Sequence, residues 1–411
     1  MSKKLQVLLL TSSLVIIVFA VVGGLGVHAS TSNNNNGNDG AYTHMQVYSE
    51  VLYRIRTEYV EEPNMNTVTN GALHGLLESL DANSSYLSPA EYKIFKQKKA
   101  EGKANIGAVV SKRFGYAAVV SVIPGGPSDK ANISSGDIIE TIDGQNSHEM
   151  SLAEIKSRLI GDVGSRVECS IIRARKVEPQ KVTIIREIVN PPAVQSQMLA
   201  DNTGYIKALV LTKDKSQEIA NKIKSLQKDG AKKLVLDLRN AAEGDEEEGV
   251  ATANLFLNKG LIAYLQGQKF TRVSYSADPQ KKITDLPLVV LVNRGTAGAA
   301  EVVAAAVLDN ARGDVLGDKT FGDGSVQKLL EVPDGSALIL SIAKYYTPNG
   351  KIIQETGITP NIQVASVDDV VLPDDEDNTA NPEETPKPQS KEDEQLRRAI
   401  EVLKNKTQKA S

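Results

Sequence analysis

Between residues 41 and 101 apolar side chains recur every three or four positions, as in Val47, Val51, Leu52 and Ile55, then Leu73, Leu76, Leu77 and Leu80. Side chains three and four apart share one face of an α-helix, so this stretch predicts a helical region. Glu62-Pro63-Asn64 marks a turn within it. Residues 81–87 read as a polar break before a short helix that starts near Pro89. Over 102–190 the period shortens to two. Strands are expected at 117–123, 137–142, 166–173 and 181–186, with one helix at 152–159 among them. Pro124-Gly125-Gly126-Pro127, Ser134-Ser135-Gly136-Asp137 and Asp143-Gly144 punctuate these strands with turn chemistry.

After Asn190-Pro191-Pro192 strands and helices alternate. A strand is expected at 203–211, an amphipathic helix at 216–227, a strand at 233–237 and a continuous apolar strand at 288–292. A strong helix at 301–308 follows the small-residue turn Gly295-Thr296-Ala297-Gly298. The expected fold class is therefore multidomain, α+β with α/β. It has a helical region at 41–101, a small β module at 102–190 and an α/β core at 191–366. Residues 367–390 are acidic and proline-rich and read as a disordered linker. A last helix at 391–411 carries Leu396, Ile400 and Leu403 on one face, which must pack on the chain's own body or on a partner.

The amino end changes where this body is placed. Lys3 and Lys4 precede a long uncharged, mostly apolar run, so residues 1–29 read as a signal peptide or a membrane anchor. The polar stretch 30–40, with Asn33 to Asn36 in a row, reads as a flexible linker. Lysines ahead of the apolar run put the rest of the chain outside the cytoplasm. The expected location is the cell envelope, periplasmic or extracellular, with the amino-terminal segment as the contact to the membrane.

A chain of 411 residues with a formal charge of -4 has material for several domains and no global basic field, so nucleic acid is set aside as a partner. Cys169 is the only cysteine, which excludes an internal disulfide and a thiolate metal cluster. It lies in an alternating run and reads as a packed strand thiol. His28, His44, His74 and His148 lack metal-pair spacing. Neither metal nor cofactor is expected.

Over 102–190 the residues resemble a PDZ domain. The match runs through Ile106-Gly107-Ala108, Val122 to Ser128, Gly136-Asp137-Ile138-Ile139 and Ile142-Asp143-Gly144. By resemblance, Ile106, Gly107 and Ala108 form the loop that holds a peptide's carboxylate while the peptide adds as a strand. Asn105 stands where such domains usually carry Gly. The resemblance implies protein C-terminal peptides as partners.

A wider resemblance joins this module to the C-terminal processing, or tail-specific, serine peptidases. It rests on Glu78-Ser79-Leu80-Asp81, Ser84-Ser85-Tyr86-Leu87, Leu234 to Asn240, Leu255-Phe256-Leu257 and Leu288 to Asn293. It continues through Glu301, Gly317, Thr320-Phe321-Gly322, Gly324 to Gln327, Tyr345 to Gly350 and Gly357 to Pro360. The core at 191–366 is thereby expected to be of the tail-specific protease type. That family uses a serine nucleophile and a lysine base. The stretch like Gly-Ser-Ala-Ser-Ala-Ser-Glu reads Gly295-Thr296-Ala297-Gly298-Ala299-Ala300-Glu301 here, which puts Gly298 at the nucleophile's position. Asp323 stands at the position of the lysine, and the supporting Gln327 is retained.

A Ser-Lys dyad needs a hydroxyl to attack and an amine of lowered pKa to take its proton. Neither group is present. Gly244 and Ala299 hold the oxyanion positions, but the loop reads Ala241-Ala242-Glu243-Gly244 with Asp245 to Glu248 following, an acidic setting for a developing oxyanion. Thr296 and Ser325 are the nearest alternative hydroxyls, and Lys319 and Lys328 the nearest amines. They read as turn and surface residues, and the acidic run reads as solvated. The sequence thus points to a catalytically degenerate relative that acts as adaptor or scaffold. A homodimer, or a heteromer with an active homologous peptidase, would give it a target. The alternative is an active serine-type endopeptidase with a non-standard nucleophile.

Overall fold

The computed structural model describes residues 39–101, 104–173, 178–365 and 393–410. The expected leader at 1–29, the linker up to residue 38 and the acidic linker at 367–390 lie outside the described residues. No helix among the described residues is long and apolar enough to cross a membrane. The chain divides into two compact units, Met1–Thr69 and Asn70–Ser411.

In the first unit helix α1 spans Asp39–Glu58, so the last two residues of the expected linker are helical. Helix α2, Met65–Glu78, begins in this unit where the Glu62-Pro63-Asn64 turn ends, and its residues from Asn70 onward belong to the second. The Asn64 Oδ1 accepts the Asn66 and Thr67 amides at 3.1 and 3.2 Å, which caps this helix.

In the second unit the polar break contains a short strand that the alternation of residues did not announce. β1, Ser85–Leu87, is wholly buried and pairs antiparallel with Ala337–Ile339, some 250 positions away. Its partner supplies every cue, which is why no local signal gave it. Helix α3, Pro89–Glu101, follows as expected.

The small β module is built on one sheet in which β2 (Ala108–Arg113), β3 (Tyr116–Val122), β4 (Ile138–Ile142), β5 (Arg166–Ile172) and β6 (Gln180–Ile185) lie in that order, with the two-residue strand Gln145–Asn146 pairing beside β4. Helix α4, Leu152–Leu159, closes it, with the Ser151 side chain accepting the Glu154 amide as its cap. Ile139, Ile142, Ile155, Val167, Cys169 and Ile171 fill its core. Burial pushes the Cys169 thiol up to about 12, so it is an inert packing group.

The core is built on a six-stranded sheet. Its strands are β7 (Gln195–Leu199), β8 (Thr203–Lys207), β9 (Lys233–Asp237), β12 (Leu288–Val292), β13 (Asp314–Gly317) and β16 (Ile362–Gln363), ordered β16-β13-β12-β9-β8-β7. All pairs are parallel except β7 with β8. β9 and β12 are buried at every residue, the pattern of strands covered on both faces. Helix α5 (Lys215–Lys228) packs on β7, β8 and helix α6 (Glu246–Asn254), while α6 and α7 (Ala299–Asp309) pack with a second sheet, in which β10 (Leu261–Gln266), β11 (Val273–Ser276), β14 (Ser325–Glu331) and β15 (Ala337–Tyr346) join β1. Residues 299–307 of α7 are all buried, because it lies between β10 of one sheet and β13 of the other.

Helix α8, Glu394–Ala410, covers the other face of the parallel sheet. Ala399 and Leu403 are fully buried among Tyr205, Val235, Val289, Leu291 and Leu316, with Leu396 and Val402 beside them. The apolar face therefore packs on the chain's own body, and its members are Leu396, Ala399, Val402 and Leu403. Ile400 is only half-buried and outside this cluster. Arg239 anchors the start of the helix: Nη1 and Nη2 donate to the Asp393 carboxylate at 2.9 and 2.6 Å, while Nε and Nη2 bind the buried Asp237 at 2.9 and 2.6 Å.

Ending the chain after residue 392 exposes this sheet face. A protein lacking residues 393–411 is expected to lose about 3–5 kcal/mol of unfolding free energy, at about 1.5–3 kcal/mol per large buried apolar side chain. Chemical denaturation reads this directly, and an unchanged midpoint would show the helix to be dispensable.

Candidate functional site

The site lies at the carboxyl ends of β9 and β12, where parallel sheets place ligands. β12 delivers Asn293, whose Oδ1 accepts the Asn240 and Gly295 amides at 2.9 and 3.1 Å and whose Nδ2 donates to the Asn240 Oδ1 at 2.9 Å. The two strand ends are thereby tied together. Thr296 is fully buried and donates its hydroxyl to the Leu238 carbonyl at 2.8 Å while accepting the Asn293 amide at 3.0 Å. It is a pin of the turn. A side chain at Gly295 would collide with the Asn240 Oδ1 at 2.4 Å and approach the Val120 carbonyl of β3 at 3.0 Å, so the small β module lies against this turn.

Gly298 ends the turn with φ 60° and ψ −123° and opens α7. That is the sharp strand-to-helix bend in which α/β hydrolytic sites hold a nucleophile. Here a Cβ would meet only the Asp323 carbonyl, at 4.0 Å. The place for a side chain is open, and the residue supplies none.

Glu301, one turn into α7, organises the surroundings. It is fully buried, and its Oε2 accepts the amides of Gly298 at 3.0 Å and Asp323 at 2.8 Å. Its Oε1 accepts the Gly322 amide at 2.8 Å and pairs with the Thr320 hydroxyl. One carboxyl group therefore joins the positions that resemblance assigns to nucleophile and base. Burial pushes it up to about 8, the Asp323 charge adding to the effect while the donors oppose it.

Asp323 points into a polar cluster. Its Oδ1 accepts from the Asn83 Nδ2 at 3.2 Å, and the same amide donates to the Ser325 Oγ at 2.9 Å. Gln327 Nε2 donates to the Ser325 Oγ at 2.8 Å and to the Ser325 carbonyl at 2.9 Å, so this retained glutamine serves Ser325. Two amide donors on Ser325 favour an acceptor role for its hydroxyl, not activation by a base. Lys319 and Lys328 are exposed. Asn83, carried by the polar break, is the member of the cluster that the sequence did not single out.

The acids that follow the positions that resemblance assigns to the oxyanion loop are partly engaged. Gly244 pairs with Leu211 in a short parallel bridge, and Ala299 is the buried first residue of α7. Glu248 is not merely solvated, since its carboxylate accepts the Asp214 and Ser216 amides at 3.1 and 2.9 Å and steadies the start of α5. Loss of solvent pushes Glu246 up, with the Asp323, Asp245 and Glu247 charges adding to it. Glu243 is raised in the same way, with Asp245 adding. No three His, Cys, Asp or Glu residues among the described ones are placed to hold a metal ion.

Beside this cluster the Ile106-Gly107-Ala108 loop lines a cavity of about 210 Å³, with Lys156 on one wall and Glu243 of the core on another. The Gly107 amide donates to the Asn105 Oδ1 at 2.7 Å.

A PDZ sheet packed over the strand ends of an α/β core, with a sharp glycine bend at the mouth of a buried helix, defines a peptidase-type architecture. Residues 119–173 match the PDZ domain, and residues 202–364 match peptidase family S41. The chain is 32% identical over 358 residues to the carboxy-terminal-processing protease of Bartonella bacilliformis, covering 85% of this chain and 82% of that protein. It is 33% identical to the carboxy-terminal processing protease CtpA of Bacillus subtilis, over 78% of this chain and 69% of that one. The solved photosystem II D1 C-terminal processing protease superposes with a TM-score of 0.65 at 28% identity, covering 76% and 86% of the two chains. The chain belongs to peptidase family S41, among relatives named carboxy-terminal processing proteases.

Proposed function

We propose that this chain is a non-hydrolysing member of the S41 family, an exported adaptor that holds polypeptide through its PDZ domain. The observation that carries the reading is Gly298. The bend that would present a nucleophile is intact, and its residue has no atom able to attack a carbonyl carbon. Asp323 places a carboxylate where the family's dyad needs an amine. In subtilisin, removal of the serine nucleophile alone costs on the order of a millionfold in turnover. Thr296 is spent on the Leu238 carbonyl, and Ser325 accepts from two side-chain amides, which speaks against either as a replacement nucleophile.

The PDZ domain keeps its groove, so strand addition of an extended peptide is the capacity that remains. Protein C-termini are the ligand class that the domain type implies. Held at the envelope by the amino-terminal segment, the chain would present such ligands as a homodimer or beside an active homologous peptidase.

Incubation of the full chain with an unfolded protein substrate, such as reduced casein, tests the reading. The substrate is expected to be retained and to stay intact. Its cleavage, abolished by altering Thr296 or Ser325, would restore the reading as a peptidase with a relocated nucleophile.

A further inference from the structure

A PDZ groove selects a free C-terminus because the amides of its loop converge on the carboxylate. In this chain the central amide of that loop is already engaged. The Asn105 side chain folds over its own backbone and accepts the Gly107 N–H at 2.7 Å. This is an Asx-type turn, and its Oδ1 sits where a ligand oxygen would be expected to receive that hydrogen. Asn105 is fixed for the purpose: its main chain pairs with Glu187, with amide-to-carbonyl distances of 3.0 and 3.1 Å in the two directions.

The charges lining the groove point the same way. Among the described residues its charged lining consists of Lys156, from α4, and Glu243, from the core loop that follows β9. They are of opposite sign, so the described lining offers no net positive charge to an incoming carboxylate. Glu243 instead adds a like charge on one wall, and loss of solvent there already disfavours negative charge. The large apolar side chains in the lining, among them Ile106, Val110, Ile123, Leu159 and Ile160, suit the side chains of an extended segment.

We infer that the groove of this chain takes an internal extended segment of a polypeptide, with no free carboxylate at the loop, and that Asn105 is the residue that sets this preference. The inference rests on the reading of the PDZ domain as the peptide-holding part and names the chemistry of its ligand. A strand entering mid-chain satisfies the edge of β2 through its own backbone and leaves the Asn105 turn closed. A C-terminal peptide has to open that turn and bring its charge beside Glu243.

The test uses fluorescein-labelled decapeptides with randomised apolar last positions, each made once as the free acid and once as the C-terminal amide. Retention of both pools on the immobilised full chain is compared. The amide pool is expected to be held at least as well as the acid pool. Asn105→Gly frees the Gly107 amide and is expected to shift the acid-to-amide ratio about ten- to a hundredfold toward the acid, the worth of one hydrogen bond to a charged group. Wild-type protein that holds the acid more than tenfold better than the amide would overturn the inference while leaving the PDZ domain as a peptide holder. An unchanged ratio in Asn105→Gly would likewise overturn the role given to Asn105. Retention of neither pool would overturn the peptide-holding reading and the inference together.

Discussion

Glu301→Ala is expected to lower the unfolding free energy by about 4 kcal/mol or more, with Glu301→Gln costing about 1–3 kcal/mol. The carboxyl group is fully buried and receives the amides of Gly298, Gly322 and Asp323, with the Thr320 hydroxyl as a fourth partner. Alanine removes every acceptor and leaves three N–H groups unpaired, that of Gly322 buried and those of Gly298 and Asp323 half-buried. Glutamine keeps the shape, yet whichever way its amide turns, an NH2 faces at least one of those N–H groups.

The pH dependence follows from the same carboxyl. Burial raises it from an ordinary value of 4.5 to about 8, so the folded protein binds its proton more tightly than the unfolded chain does. The stability it contributes is present below the ordinary carboxyl range and is lost as pH rises toward 8. The gap between wild type and Glu301→Gln is therefore expected to narrow across that window. Denaturation curves at several pH values check both statements, and an alanine variant within about 1 kcal/mol of wild type would show that Glu301 does not hold the bend.

The second large effect concerns chemistry. Introducing serine at Gly298 is sterically open, since the nearest heavy atom to a new Cβ is 4.0 Å away. The positive φ adds about 1–3 kcal/mol of strain. Alone, Gly298→Ser is expected to stay unreactive, because Asp323 supplies no amine. Combined with Asp323→Lys it is expected to react with a fluorophosphonate probe about a hundredfold or more faster than the single variant, the usual worth of a positioned base. A well-folded double variant that stays unlabelled would place a further defect in the Glu243 loop.

Much of the fold was legible because the relevant signals are local. The strands at 233–237 and 288–292 and the helix at 152–159 stand where the pattern of apolar positions put them. β1 escaped because three residues with a polar approach become a strand only through β15, far along the chain. β2 escaped as well, its Ala108-Val109-Val110-Ser111-Lys112-Arg113 run mixing apolar and charged positions without clean alternation.

The site divides the same way. Gly298 and Asp323 were found by their order along the chain, and the structure brings both onto Glu301. Asn83 was invisible because its contacts with Asp323 and Ser325 span about 240 positions. The Asn105 contact with Gly107 is short-range, and the departure from glycine at that position was its sequence signal.

The most direct measurement is the intact mass of the wild-type chain after prolonged exposure to a fluorophosphonate. With hydrogen as the entire side chain of residue 298, the mass should stay that of the untreated protein. A stoichiometric adduct that maps to Thr296, Ser325 or any other hydroxyl of the core would contradict the non-hydrolysing reading.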